Sequence, residues 1–170
     1  AKVEIINPYE IKIRQTQLPI QKSTFCEQKM PAPVTPMVGA DTFVVNDANE
    51  VCLVRRSDNG LWALPGGAQD LGETPEECAR REFMEETGLE IEITRLLGVF
   101  SSLRYDATTN VNRGREVTHI LFAGRLVGGQ QTTSQETLAV GWFPQDKLPP
   151  LSGGHAPRVD LGFKALKKPY

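Results

Sequence analysis

The chain has 170 residues, which is the size of one domain and enough to bury about two thirds of the surface that the unfolded chain exposes. Its 19 lysines and arginines against 21 aspartates and glutamates give a formal net charge of −2. This balance argues against a general affinity for duplex nucleic acid or for an anionic membrane. An anionic substrate would therefore need local positive charge or a metal ion.

The three cysteines, Cys26, Cys52 and Cys78, form no C-x-x-C pair, which argues against a disulfide framework and against a zinc site. Cys52 and Cys78 lie in apolar patterns and are predicted to be buried free thiols, as suits a reducing cytoplasm. No apolar run approaches the roughly 20 residues of a membrane span, and the first residues do not resemble a signal peptide. We expect a cytoplasmic protein without membrane contact.

Residues 1–37 differ in pattern from the rest of the chain, and we call them the N-terminal arm. Five prolines interrupt its short β-prone pieces, such as Val3-Glu4-Ile5-Ile6. The pattern is compatible with a packed strand, with a poorly ordered tail or with a segment that joins two subunits in a homodimer. Residues 38–170 are predicted to form the main domain.

From Gly39 onward the sequence is typical of strands arranged around one central helix. Six β-prone runs are predicted to be strands: 42–45, 51–54, 61–64, 91–100, 117–126 and 138–143. Pro65-Gly66-Gly67 is predicted to be a turn, and a short helix is predicted over 156–166. Strands on both sides of a central helix predict an α+β fold rather than an all-helical or doubly wound one.

The central helix is predicted to run from Pro75 to Thr87 because both of its ends carry strong signals. Thr74 is suited to cap the helix, Pro75 suits the first helical position, and Glu77 completes a capping box. Gly88 is suited to the left-handed conformation that ends a helix. The sequence therefore predicts the bounds of this helix from local chemistry alone.

Three glutamates of this helix, Glu82, Glu85 and Glu86, stand at i, i+3 and i+4 and share one face. A solvated acidic face is the ordinary explanation of such a pattern. Glu85 and Glu86, however, occupy the last turn, where the helix dipole disfavours each anion by about 0.3 to 1 kcal/mol. Arg81 is the one nearby countercharge along the helix. A cluster that costs stability in this position indicates a hard divalent cation held by oxygen ligands.

The spacing of these residues resembles the Nudix box. The box reads G-x5-E-x7-R-E-U-x-E-E-x-G-U, where U is apolar. Gly67, Glu73 and the run Arg81-Glu82-Phe83-Met84-Glu85-Glu86-Thr87-Gly88-Leu89 match it at every specified position. A wider resemblance extends over about residues 38–148 and includes the segment 60–67, which looks like many bacterial members.

The resemblance implies an α/β/α sandwich with a mixed central sheet and a loop-helix-loop catalytic motif. It also implies metal-dependent hydrolysis of the diphosphate linkage of a nucleoside diphosphate derivative, with ADP-ribose or another nucleotide sugar ranked first. A nucleoside triphosphate, for example an oxidised guanine nucleotide, ranks second. A nucleotide-sensing module that has lost catalysis is the alternative from a different class, and the intact Arg81-Glu82 and Glu85-Glu86 pairs argue against it.

The resemblance implies a role for each residue of the box. The ligands of magnesium or manganese would be three carboxylates and one backbone carbonyl, supplied by Glu82, Glu85, Glu86 and either Gly66 or Gly67. Arg81 would orient the glutamates through a salt bridge, Glu73 would support the loop, and Gly88 would close the helix.

The general base that activates water is not fixed by the box. In the family it is either the residue at the position of Glu82 or an acid outside the box. Glu136, just before the strand predicted at 138–143, is the first candidate for such an outside acid, and Glu116 is the second. The predicted catalytic residues are therefore Glu82, Glu136 and Arg81.

Substrate contacts are predicted from arginines that suit phosphate and from a tyrosine that suits stacking on a base. The residues are Arg56, Arg104, Tyr105 and Arg115. An ordinary basic surface loop is the alternative for the last three. Of the two histidines, His119 is predicted to be structural and His155 to be exposed.

Overall fold

The structure is a computed structural model that describes residues 2–7, 10–14, 36–102 and 116–167. The chain divides into two compact units, residues 1–34 and residues 35–170. In the first unit β1 (Lys2–Asn7) and β2 (Glu10–Arg14) form an antiparallel pair. The second unit contains all of the residues for which the sequence predicts a catalytic role.

In the described part of the second unit the strands form two sheets. The larger sheet contains β3 (Met37–Val44), β6 (Gly66–Ala68), β7 (Leu89–Ser101) and β8 (Val117–Gly129). Its order is β6-β3-β8-β7, with β3 and β8 parallel and the other pairs antiparallel, so the sheet is mixed. The smaller, antiparallel sheet contains β4 (Val51–Arg56), β5 (Trp62–Ala63) and β9 (Thr137–Phe143), in the order β5-β4-β9.

Helix α1 (Pro75–Thr87) has the bounds and caps that the sequence predicts. The Glu77 amide donates to Oγ1 of Thr74 at 3.2 Å, and the Thr74 amide donates to the Glu77 carboxylate at 2.8 Å. Gly88 adopts a left-handed conformation with φ of 72°, and its amide donates to the Met84 carbonyl at 2.8 Å. The capping box and the glycine cap are therefore confirmed at both ends.

The two helices cover opposite faces of the mixed sheet. Cys78 and Ala79 of α1 pack with Ala40 and Phe122 on one face. On the other face, α2 (His155–Leu166) packs with β3, β4 and β8 in a second cluster formed by Phe43, Val51, Leu53, Leu64, Leu121, Val159 and Phe163. Successive side chains of a strand point to opposite faces. Neighbouring residues of β3 and β8 therefore pack alternately against α1 and against α2. This arrangement confirms the α/β/α sandwich.

The prediction of a turn at Pro65-Gly66-Gly67 is wrong, because Gly66 begins the edge strand β6. Gly66 pairs with Asp41 and Gly67 with Ala40 in antiparallel register. A Cβ on Gly66 would lie 2.3 Å from the Ala40 carbonyl oxygen, and its φ is 156°. The residue is glycine because the backbones approach closely, which local turn signals do not reveal.

The other predicted strands are present with shifted ends. The run 61–64 shortens to Trp62–Ala63, and the runs 91–100 and 117–126 lengthen to β7 and β8. The predicted C-terminal helix is present as α2, which begins one residue earlier at His155. Cys52 and Cys78 are buried free thiols, as predicted. No helix in the described ranges is long and apolar enough to cross a membrane.

Candidate active site

A cavity of about 350 Å³ lies beside the edge strand β6, and we call it the carboxylate cavity. Six of the residues predicted to act on metal or substrate line it together: Arg56, Gly66, Gly67, Glu82, Glu86 and Glu136. Arg56 ends β4, the two glycines belong to β6, and the first two glutamates belong to α1. Elements far apart in sequence thus bring these side chains to one place.

Glu82 extends from α1 over the glycines of β6. A Cβ on Gly67 would lie 2.5 Å from the carboxyl carbon of Glu82, so glycine at this position leaves the space that the carboxylate occupies. The Glu82 side chain is only 15% exposed. Burial raises the pKa of its carboxyl group, and the hydrogen bond from Arg81 opposes this effect.

Glu86 is the most deeply buried of the three predicted metal-binding glutamates of α1, with 9% of its surface exposed. Its Oε2 accepts a hydrogen bond of 2.9 Å from the Gly66 amide. Burial raises the pKa of Glu86 to about 8; the Gly66 hydrogen bond opposes this shift, and the nearby charge of Glu82 adds to it. In the described part of the chain no lysine, arginine or histidine forms a salt bridge with Glu86.

Arg81 connects the loop before α1 to the box glutamates. Its Nε lies 2.6 Å from Glu73 Oε1, and its Nη1 lies 2.7 Å from Glu82 Oε1 and 3.3 Å from Glu85 Oε2. Its Nη2 also donates to the carbonyl of Ala68 in β6 at 3.0 Å. The Arg81 hydrogen bond lowers the pKa of Glu73 to about 2. The geometry suits the expected roles of Arg81 in orienting glutamates and of Glu73 in supporting the loop.

The residues of the cavity fit a divalent cation by the chemistry of their donors. Carboxylates and backbone carbonyls are hard oxygen ligands, and the buried carboxylate of Glu86 forms no salt bridge with a described residue, although the charge of Arg56 acts on it from nearby. Within residues 36–102 and 116–167 no three acidic, histidine or cysteine side chains already converge as a metal site. Glu82 is hydrogen-bonded to Arg81, and Glu85 is 60% exposed outside the cavity. Binding an ion through all three glutamates therefore requires side-chain rotation.

Two other predicted residues in the described part of the chain, Glu116 and Gly88, are not among the residues that line the cavity. Glu116 is exposed, and its carbonyl accepts the Met37 amide at 2.8 Å, although the adjacent Val117 does line the cavity. Gly88 acts at the end of α1 as its cap. The predicted substrate contacts Arg104, Tyr105 and Arg115 lie outside the described residues, as does Cys26.

A buried polar cluster that includes two lining residues of the cavity, Asp41 and His119, was not predicted from the sequence. Asp41 of β3 pairs with Arg158 of α2, and His119 Nδ1 lies 3.2 Å from the same Oδ2. Burial alone would raise the pKa of Asp41, but Arg158 and His119 outweigh it and hold this pKa below its usual range. The sequence does carry a signal for this cluster. Asp41 is two positions before Phe43, so in a strand the two side chains point to the same, core-facing side.

The prediction that His155 is exposed is wrong. His155 is buried, and its Nδ1 accepts a hydrogen bond of 3.1 Å from the Leu64 amide. Burial, aided by the charge of Arg158, lowers the pKa of this imidazole well below its ordinary value. Glycines before His155 suggested an exposed loop, whereas the residue begins α2 and packs inward. Both His119 and His155 line the carboxylate cavity.

Comparisons of the sequence and of the structure with known proteins match this chain to the same family. The NUDIX domain model matches residues 35–161. An ADP-ribose pyrophosphatase of Methanocaldococcus jannaschii is 36% identical over 123 residues, which is 71% of this chain and 69% of that one. An 8-oxo-dGDP phosphatase of Mus musculus is 33% identical over 129 residues, which is 71% of this chain and 36% of that one.

A solved structure agrees with these sequence matches. The crystal structure of an ADP-ribose pyrophosphatase from Streptococcus suis superposes with a TM-score of 0.65 at 30% identity, covering 80% of this chain and 96% of that one. The family model spans both sheets and α1, together with the first half of α2. The chain therefore belongs to the Nudix family and is a Nudix pyrophosphohydrolase.

Proposed function

We propose that the enzyme hydrolyses the diphosphate linkage of a nucleotide sugar, with ADP-ribose first, using magnesium or manganese in the carboxylate cavity. The observation that carries this proposal is that Glu82, Glu86 and Glu136 line one cavity together with two glycines of β6. The similarity to two ADP-ribose pyrophosphatases supports the choice of substrate.

In this proposal each residue of the site has its own role. A bound divalent cation supplies neutralisation of the diphosphate charge and activation of the attacking water. Glu136 removes the proton of that water, Arg81 holds Glu82 in place, and Arg56 offers positive charge to a phosphate oxygen. Arg56 is itself oriented by Asp58, whose carboxylate lies 2.6 Å from Nη2.

Removal of the metal tests this proposal. Turnover of ADP-ribose to AMP and ribose 5-phosphate is expected to fall to background in excess EDTA and to return when magnesium or manganese is added. Chromatographic separation of the products measures both steps. Full turnover in EDTA would overturn the metal-dependent mechanism.

An oxidised guanine nucleotide is the second candidate substrate, favoured by similarity to the mouse 8-oxo-dGDP phosphatase. The candidates differ in their products, because a nucleoside triphosphate releases pyrophosphate, a nucleoside diphosphate releases phosphate, and ADP-ribose releases neither. A substrate panel separates them when phosphate is measured directly, after inorganic pyrophosphatase, and after phosphatase. The substrate with the largest kcat/KM identifies the class.

The N-terminal arm is proposed to contribute to a homodimer. Because β3 begins at Met37, which lines the carboxylate cavity, the truncation that tests this removes residues 1–34 and leaves β3 intact. The truncated chain is expected to shift toward monomer mass in analytical ultracentrifugation and to bind substrate more weakly. Unchanged mass and unchanged KM would mark the arm as dispensable.

A cytoplasmic location is proposed from the state of the cysteines. Cys52 and Cys78 are buried and free, and burial raises the pKa of the Cys52 thiol to about 12 and that of Cys78 to about 11. Unreactive free thiols suit a reducing compartment. Fractionation of the native host followed by activity measurement tests the location.

A further inference from the structure

The contact between Asp41 and His119 is not used in the proposed hydrolysis, although His119 lines the same cavity. His119 lies on β8 beside Gly39 of β3, in parallel register. A Cβ on Gly39 would lie 2.7 Å from the Gly67 carbonyl oxygen and 3.8 Å from His119 Nδ1. The imidazole is therefore close to the glycines of β6, and its side chain is 20% exposed.

The contact with Asp41 favours a proton on Nδ1 of His119 over one on Nε2. Nδ1 lies 3.2 Å from Asp41 Oδ2, and a carboxylate only accepts hydrogen bonds, so Nδ1 is the donor. Nε2 then carries a lone pair in the neutral ring. Among the described residues, none forms a hydrogen bond with Nε2.

Asp41 is also paired with a buried arginine of α2. Asp41 already has a full countercharge in Arg158, which is only 1% exposed and contacts the same carboxylate oxygen. Arg158 is held in turn by the Gly154 carbonyl, which accepts from its Nε at 3.0 Å. Helix α2 therefore holds the carboxylate that contacts the imidazole of His119.

The carboxylate cavity changes in character along its length. The strand register gives the order of its lining residues, because Val117 is paired with Met37, His119 with Gly39, and Asp41 with Gly66, whose amide donates to Glu86. His119 therefore lies between an apolar end at Met37 and Val117 and an acidic end at Glu86. A substrate whose diphosphate occupies the acidic end would bring its next group, a sugar, to His119.

We propose that His119 is a substrate-contacting residue, whose Nε2 accepts a hydrogen bond from a hydroxyl of the sugar adjoining the diphosphate. Asp41 and Arg158 are positioning residues that act through the imidazole. This inference rests on the proposed function, since it assigns the sugar recognition of the same site. A phosphate oxygen is not the partner, because a lone pair on Nε2 requires a donor.

Two variants distinguish the contribution of Nε2 to substrate binding from that of Nδ1. His119→Asn keeps an amide donor near the position of Nδ1 and loses Nε2, whereas His119→Gln reaches the position of Nε2 with an amide oxygen that accepts. His119→Asn is expected to raise KM for ADP-ribose on the order of 10-fold with kcat changed by less than about 3-fold, the effect of one lost hydrogen bond. His119→Gln is expected to recover most of this KM.

The matched control is Thr118→Val, on the same strand and outside the residues that line the cavity. It is expected to leave KM unchanged.

Nitrogen NMR of labelled histidine supplies a second readout. His119 is expected as the Nδ1-protonated tautomer. Its Nε2 signal is expected to shift when ADP-ribose binds, and the tautomer is expected to change in Asp41→Asn.

The outcomes distinguish this inference from the proposed function. Normal KM in His119→Asn, or an Nε2 signal that does not respond to ADP-ribose, would overturn the role of His119 while wild-type turnover continues. Absence of turnover by the wild type on every nucleotide sugar would instead overturn the proposed function. His119→Asn could also raise KM through partial unfolding. Its melting temperature would then be lowered, and His119→Gln would fail to recover KM. This result would also count against the inference.

Discussion

Glu136→Gln is expected to lower kcat for ADP-ribose on the order of 10²- to 10⁴-fold, with little change in KM, because it removes the proposed general base. Glu136 lines the carboxylate cavity together with Glu82 and Glu86. Its carbonyl accepts from the Ser57 amide at 2.9 Å and its amide donates to Ser134 Oγ at 3.2 Å. Because both contacts use the backbone, the substitution leaves the position of residue 136 unchanged. Steady-state kinetics measure the effect.

Glu116→Gln is the matched control for this prediction. Glu116 was the second candidate for the base, yet it is exposed and outside the residues that line the cavity. We expect its kcat to stay close to that of the wild type. Normal kcat in Glu136→Gln would return the role of the base to Glu82, and a large loss in Glu116→Gln alone would assign it to Glu116.

The parts of the fold that sequence predicted well are those governed by local chemistry. The bounds of α1 depend on Thr74, Pro75, Glu77 and Gly88, which act within one or two turns of the chain. Most strands were located because they are β-prone runs, and their ends shifted because pairing partners decide where a strand stops. Local rules therefore predict the existence of an element better than its extent.

Contacts between distant segments account for what the sequence did not predict. The role of Asp41 depends on Arg158, which lies 117 residues later in the chain. The burial of His155 depends on the Leu64 amide, 91 residues earlier. Neither partner is suggested by spacing, and in each case a polar residue is buried because tertiary structure satisfies its hydrogen bonds.

The box glutamates show how spacing and burial give different information. The i, i+3, i+4 spacing correctly groups Glu82, Glu85 and Glu86 on one side of α1, but it does not distinguish their environments. Glu85 is largely exposed beside Arg81, whereas Glu86 is buried against the Gly66 amide. Burial rather than repulsion along the helix is therefore the main cost at Glu86, because burial is the leading cause of its raised pKa.

Glu86→Gln is expected to be more stable than the wild type in EDTA by about 1 to 3 kcal/mol at pH 8, and to lose activity. The amide oxygen of glutamine still accepts the Gly66 hydrogen bond, while the buried charge disappears. Magnesium is expected to reverse the order of stability, because it binds the folded state and the variant lacks one ligand. Thermal melting of both proteins with and without magnesium measures these differences, alongside an activity assay.

The pH dependence of this difference follows from the direction of the shift. The pKa of Glu86 rises from its ordinary value of 4.5 to about 8 on folding, so its protonated form stabilises the folded protein below pH 4.5. That stabilisation is lost as pH rises toward 8, because the unfolded chain then releases the proton more readily. In EDTA the two proteins should therefore melt at similar temperatures near pH 5 and diverge as pH increases.

Glu85→Gln is the control for stability, because it neutralises a glutamate of the same turn that is 60% exposed. Its stability in EDTA is expected to change by less than about 0.5 kcal/mol at every pH, since an exposed pair with Arg81 contributes little. Strong destabilisation of Glu86→Gln in EDTA would show that the carboxylate makes a structural contact which glutamine cannot replace. Retained activity in Glu86→Gln would remove Glu86 from the metal site, and a magnesium effect equal to that of the wild type would do the same.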